Sequence, residues 1–177
     1  MRRILAVLAL LAAASIIVPA TAANAAVQYY RIVNAMSDTC LNQDYSGGGP
    51  HADVLAWTCT SPTDPAANEQ WRFVDVGNLG NIEIINKATG KCLNQDYSGG
   101  QANSDVIVYT CSANYANGLW HRRYDDSNGT VFYDNGESGS PLNQDYSGGV
   151  AHHDVLVYYS KYSPPPLNSE WIEVPVG

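Results

Sequence analysis

Beyond residue 26 the chain alternates short apolar runs with polar turn clusters, and no stretch keeps a helical period. Between 29 and 76 the β-branched and aromatic residues gather into four runs, 29–34, 39–43, 53–58 and 71–76, bounded by Gly, Pro, Asn or Asp. Runs of that length and composition predict strands. The same reading recurs downstream, with strands near 82–86 and 106–110, then near 131–133 and 155–159. Asn128-Gly129, between Tyr124 and Tyr133, is a favoured pair for a two-residue hairpin turn and is expected to separate the second and third parts of the chain.

The recurrence has a marker. The octapeptide Leu-Asn-Gln-Asp-Tyr-Ser-Gly-Gly occupies 41–48, 93–100 and 142–149, with starts 52 and 49 residues apart. Each copy is followed by Asp-Val-Leu or Asp-Val-Ile, then by an asparagine with a tryptophan three positions on: Asn68 and Trp71, Asn117 and Trp120, Asn168 and Trp171. A repeat of about 50 residues is one supersecondary unit that cannot bury its own apolar face, so the three must share a core. Units of four strands over 27–78, 79–127 and 128–177 predict twelve strands in a closed all-β architecture with pseudo-threefold symmetry, a β-trefoil. Leu41, Leu93, Leu142, Val54, Val106, Val155, Trp71, Trp120 and Trp171 are the expected core. Three indoles near one axis would supply much of its apolar area.

Residues 1–25 stand outside that pattern. Arg2 and Arg3 precede the apolar run 4–18, then Pro19 and small residues ending in Ala23-Asn24-Ala25, the layout of a secretory signal peptide cleaved after Ala25. An apolar run of about 15 residues falls short of the roughly 20 that span a bilayer core. Residues 26–177 are then expected to form one secreted, monomeric domain. Without Arg2 and Arg3, Lys+Arg falls from 9 to 7 against 17 acidic residues, so the net charge goes from -8 to -10. Such a surface repels phosphate backbones and anionic lipid, so neither nucleic acid nor membrane insertion is expected. The four cysteines form two pairs 19 residues apart, Cys40 with Cys59 and Cys92 with Cys111, and the third repeat has Pro141 and Ser160 instead. Joint loss of both members is what a disulfide predicts in an oxidising compartment.

Cys-Leu-Asn, then a second Cys preceded two positions earlier by an aromatic (Trp57, Tyr109), then Asn-x-x-Trp, resembles the repeat of ricin B-chain type β-trefoil lectins, in copies that cover essentially all of 26–177. The resemblance implies carbohydrate binding. A sugar needs an aromatic face for its C–H side and short polar groups for its hydroxyls. By resemblance Trp57, Tyr109 and Tyr158 take the stacking position, and Asn68, Asn117 and Asn168 the second polar ligand. Asn42, Asn94 and Asn143 stand where the family usually has aspartate, and Glu69, Gly118 and Ser169 where it has the Gln of Gln-x-Trp. Asparagine accepts through one neutral oxygen only, so the family's galactose-type specificity does not simply carry over. Asp44, Asp96 and Asp145, two residues on and on the same face of an extended strand, are expected to restore the charge. Up to three weak sites would act multivalently on a glycan or polysaccharide. Trp57 makes the first the strongest, while Pro164-Pro165-Pro166 and the lost cysteines alter the third.

The octapeptide is also good turn chemistry. Its Gln, Asp, Tyr and Ser are nevertheless identical three times while 60–68 and 112–117 have diverged, which favours ligand contact. On that reading Asn42, Asn94 and Asn143 can all become Ala without loss of folding. Tyr45, Tyr97 and Tyr146 are open between a second sugar platform and a lid on the barrel. Asp53, Asp105 and Asp154 are expected to cap turn N–H groups, and His51 and His152 to be surface residues. His152-His153-Asp154 resembles a ligand cluster, but strand neighbours face opposite ways and the other repeats lack it, so neither metal nor cofactor is expected. Asp125-Asp126, and Asp134 with Glu137, make no glycosidase pair, and no nucleophile motif occurs, so binding is expected rather than catalysis. The alternative from another class is a protein-binding trefoil, a secreted hydrolase inhibitor or toxin-associated adhesion subunit. Such inhibitors usually work through one unique loop, whereas the distinctive residues here are repeated.

Overall fold

The computed structural model describes residues 26–77, 80–100, 104–158 and 166–177. The segment 1–25, read from the sequence as a signal peptide, lies outside them, as do Asn103, Tyr159, Ser160, Pro164 and Pro165. The first repeat holds β1 (Tyr29–Asn34), β2 (Thr39–Gln43), β3 (Val54–Thr58) and β4 (Trp71–Val76). The second holds β5 (Asn81–Asn86), β6 (Cys92–Gln95), β7 (Val106–Tyr109) and β8 (Trp120–Asp125). The third holds β9 (Thr130–Asn135), β10 (Leu142–Gln144), β11 (Val155–Val157) and β12 (Trp171–Val176).

Six of these strands close a ring. The pairs β4 with β5, β8 with β9 and β12 with β1 each run antiparallel over six residues, and edge contacts between β1 and β4, β5 and β8, and β9 and β12 join them. The other six form three hairpins at one end, each tied to the barrel near the start of its first strand: Val33 opposite Cys40, Ile85 opposite Cys92, Asp134 opposite Pro141. The third strands of the hairpins meet in a cycle, Asp53 against Ile107, Asp105 against Leu156 and Asp154 against Leu55. A closed ring with a three-hairpin cap is a β-trefoil, and closure leaves the barrel no open edge.

Trp71, Trp120 and Trp171 are 0% exposed at the centre, with Val54, Val106, Val155 and the three octapeptide leucines in the same core. Each indole N–H donates to a leucine carbonyl of its own repeat, to Leu41 at 2.8 Å, Leu93 at 2.9 Å and Leu142 at 3.0 Å. A buried N–H left unpaired would cost about 1–3 kcal/mol, so these bonds let a large apolar group sit on the axis and fix the cap to the barrel. Two residues past each tryptophan the symmetry breaks, because the positions hold Phe73, Arg122 and Glu173. Arg122 lies 3.5 Å from Glu173 and 4.7 Å above the Phe73 ring, and the Tyr133 hydroxyl donates to Glu173 at 2.7 Å. Burial, reinforced by the Glu173 carboxylate, holds the Tyr133 phenol well above its ordinary value of 10.0.

Two local expectations are corrected. The turn at Asn128-Gly129 has four residues, 126–129, because Asp125 accepts the N–H and hydroxyl of Ser127 at 3.0 and 2.6 Å and winds the chain before Gly129 (φ 68). It does separate β8 from β9. The third strand of each repeat is also shorter than expected: Asp53 leaves β3 to bridge a neighbouring hairpin, β7 stops at Tyr109 and β11 at Val157.

Candidate functional site

Beside each of the first two hairpins is an open groove. The first, of about 410 Å³, is lined by Asn42, Gln43, Asp44, Tyr45, Ser46, Leu55, Trp57 and Asn68. The second, of about 350 Å³, has Asn94, Asp96, Tyr97, Ser98, Ile107, Tyr109 and Asn117. The structure thus brings together four predicted residues at each: Asn42, Asp44, Trp57 and Asn68, and Asn94, Asp96, Tyr109 and Asn117. The platforms stand out from the cap, Trp57 at 51% and Tyr109 at 58% exposure. Strand pairing sets them there, with Trp57 opposite Cys40 and Tyr109 opposite Cys92, and each disulfide clamps the strand just beyond. Both predicted bonds are present, Cys40–Cys59 and Cys92–Cys111. Tyr45 and Tyr97 also line the grooves, and the Tyr97 hydroxyl reaches Glu137 of the third repeat at 3.3 Å.

The polar groups are less free than their sequence suggests. Asn42, Asn94 and Asn143 are 7%, 3% and 0% exposed, and each side-chain N–H donates to the carbonyl two residues back, at Cys40, Cys92 and Pro141. They are tied into the hairpin floor, which corrects the expectation that folding would not notice their loss. Asn68, Asn117 and Asn168 donate to the carbonyls of Gln43, Gln95 and Gln144, so the second polar position is also a strut between loop and hairpin. Asn68 adds a 3.3 Å bond to Asn42 Oδ1, linking the two candidate ligands of the first groove.

Much of the octapeptide holds its own turn. Asp44, Asp96 and Asp145 each accept the N–H and the hydroxyl of the serine two residues on, at 2.8–3.0 Å. The Ser46 N–H is the main reason that the Asp44 carboxyl sits below its ordinary value of 3.8. Gly47 and Gly48, at φ 73 and 84, then turn the chain through a region that other residues resist. Gln43 and Gln144 donate to the carbonyls of His51 and His152 and accept from Thr89 and from Ser37 and Thr39 of a neighbouring repeat. Their identity across repeats thus reflects turn closure and repeat docking. His51 and His152 are surface residues as expected, and each ring Nε2 also meets the Ser46 or Ser147 carbonyl at 2.7 or 3.0 Å. Asp53, Asp105 and Asp154 work through their backbone carbonyls, which accept the N–H of Asp44, Asp96 and Asp145 at 2.8 Å, while their side chains face solvent.

The third repeat is built differently. Asn143, Asp145, Tyr158 and Asn168 are adjacent, but Tyr158 has left the strand, and its hydroxyl accepts the Asn168 amide at 2.9 Å. Its exposure drops to 36%, and Asn143 Oδ1 is buried without a partner among the described residues. Glu69 was not singled out as functional, yet it is fully buried and accepts the N–H and hydroxyl of Thr60 at 3.0 and 2.6 Å, which folds 60–69 against the first groove. At the matching position a Cβ on Gly118 would lie 2.5 Å from Asn94 Oδ1, so a side chain there would have to displace the Asn94 amide. His152 and His153 turn to different partners, Ser147 and Ala56, and Glu83 lies near Cys92 and Cys111, whose sulfurs are spent in their disulfide.

Comparison with known proteins agrees with this layout. The family profile of the ricin-type beta-trefoil lectin domain matches residues 28–148. The galactose/N-acetylgalactosamine-binding lectin CEL-III of Pseudocnus echinatus is 34% identical over 88 residues, 45% of this chain and 19% of that protein. This chain therefore aligns with about a fifth of that relative. Among solved structures, the designed threefold-symmetric protein ThreeFoil superposes with a TM-score of 0.68 at 23% identity, over 82% of this chain and 97% of its own. The ricin B-like lectin of Macrolepiota procera, solved with lactose, superposes with a TM-score of 0.62 at 15% identity, over 85% and 96%. These superpositions show a common fold.

Proposed function

Since the chain belongs to the ricin-type β-trefoil lectin family, we propose that it is a secreted carbohydrate-binding protein that holds glycans or polysaccharide through its first and second grooves. The observation that carries this reading is the first groove, where an exposed indole stands beside Asn42, Asp44 and Asn68 in one open cleft. The indole takes the apolar face of a sugar ring, the asparagines and aspartate take its hydroxyls, and the second groove repeats the arrangement with Tyr109. The Asp44 turn supplies acceptor oxygens that are already oriented, which offsets part of the lost charge at Asn42. A shallow groove binds one sugar weakly, and two on a rigid body bind a polymer far more tightly. The leader-like segment 1–25 and the two disulfides support action outside the cell.

The test is an array of galactose-, N-acetylgalactosamine- and lactose-bearing glycans and plant and microbial polysaccharides, read with wild type and with Trp57→Ala/Tyr109→Ala. Both side chains are exposed, so the double variant should melt within about 1 kcal/mol of wild type and lose binding. A blank array for wild type would overturn the reading in favour of a protein partner.

A further inference from the structure

The first groove is a composite of two repeats. His153, in the segment leading to β11, packs its ring against Trp57 on β3, with centroids 4.2 Å apart and planes inclined by 40°. Three contacts hold this pair. Ala56, the residue before Trp57, donates its N–H to the His153 carbonyl at 2.7 Å, and its own carbonyl meets His153 Nδ1 at 3.1 Å. A carbonyl can only accept, so Nδ1 carries a proton and the ring is locked by a bond as well as by contact. The His153 ring is exposed and packs beside the groove, outside the residues that line it.

The cyclic symmetry shows that this is particular to one groove. The same backbone bond recurs from Val108 to Ala52 and from Val157 to Ser104, and those small residues offer Tyr109 and Tyr158 no ring. We propose that His153 is a positioning residue for the first groove: the third repeat lends its imidazole to hold Trp57 in the orientation that a sugar stacks upon. The proposal rests on the carbohydrate reading of that groove. An exposed indole otherwise samples several rotamers, and ordering it on binding weakens affinity; a ring locked against it removes that penalty in advance. The third repeat would thus contribute to binding through its neighbour.

Trp57 reports on itself, because the other three of the four tryptophans are fully buried. Acrylamide quenching of tryptophan emission in wild type, His153→Ala and His153→Phe reads the stack without any sugar. The same proteins, all carrying Tyr109→Ala to silence the second groove, are then titrated on an array of lactose and of galactose- and N-acetylgalactosamine-terminated oligosaccharides. His153→Ala should raise quenching and weaken array binding roughly three- to tenfold, the effect of freeing one side chain, with a melting temperature lowered by no more than the roughly 2–4 °C that one lost hydrogen bond costs. His153→Phe should restore both. If quenching and binding are the same in His153→Ala as in the parent, the positioning role is overturned while the groove reading stands. If the parent does not bind, or binds equally well with Trp57→Ala, the groove reading itself fails and takes this role with it.

Discussion

Asn42, Asn94 and Asn143 carry the sharpest lesson at the residue scale. They read as surface ligands because they stand at the family's aspartate position, yet each is buried and bonded to a backbone carbonyl. Losing one such bond costs about 1 kcal/mol. Changing all three to Ala should therefore cost ~3 kcal/mol and lower the thermal midpoint by roughly 6–12 °C for a domain of this size, read by scanning calorimetry. Tyr133 provides a second test. Its phenol is held above its ordinary value, so the stability it contributes is complete below the unfolded value of 10.0 and is lost as pH rises through the higher folded one. Tyr133→Phe should flatten the alkaline fall of the thermal midpoint between about pH 10 and pH 12 relative to wild type, since Phe has no proton to release. Neither role was legible in the sequence. The bonding of an amide and the burial of a phenol depend on what the rest of the chain brings against them.

The hairpins differ at the element scale chiefly in whether a disulfide closes them. The two with a disulfide keep Trp57 and Tyr109 in strands β3 and β7; in the hairpin with Pro141 in place of the first cysteine, Tyr158 leaves the ladder and meets Asn168. Joint loss of both cysteines made the pairing readable from sequence, but the consequence for the aromatic platform was not. Cys92→Ser/Cys111→Ser should cost about 3 kcal/mol in the chain-entropy model, seen as a lower thermal midpoint. Amide exchange at the end of β7 should accelerate as well, because the clamp beside Tyr109 is gone. Strands β1, β2 and β4 match the runs read from the sequence at both ends. Each pairs along its whole length with a strand that extends equally far, so local composition and pairing agree there. β3 starts one residue late because Asp53 bridges the neighbouring repeat, whereas β7 and β11 start where expected and are shorter at their far ends.

At the scale of the whole molecule, two grooves on one rigid barrel should show the arithmetic of linked sites. Trp57→Ala or Tyr109→Ala alone should halve the binding capacity for a free monosaccharide in calorimetry. On an immobilised polysaccharide each should reduce retention by roughly 10²-fold or more, since the second contact is then lost with its effective concentration. Equal losses in the two assays would indicate independent binding. The repeats, the three tryptophans and the pair spacing of the cysteines were sufficient for the trefoil, because a unit that cannot bury its own face has few ways to close on two copies of itself. The sequence also marked where the grooves lie, since aromatic and amide positions recur at fixed distances from the hairpins. It did not tell which octapeptide groups remain free for a ligand. Gln43 and Gln144 dock neighbouring repeats, Asp44 holds its own turn, and Trp57 leans on a histidine almost a hundred residues away. A periodic sequence determines contacts within a repeat and the symmetry that relates the repeats. What passes between repeats is decided only when they close, because residues remote in the chain then compete for the same donors, acceptors and ring faces.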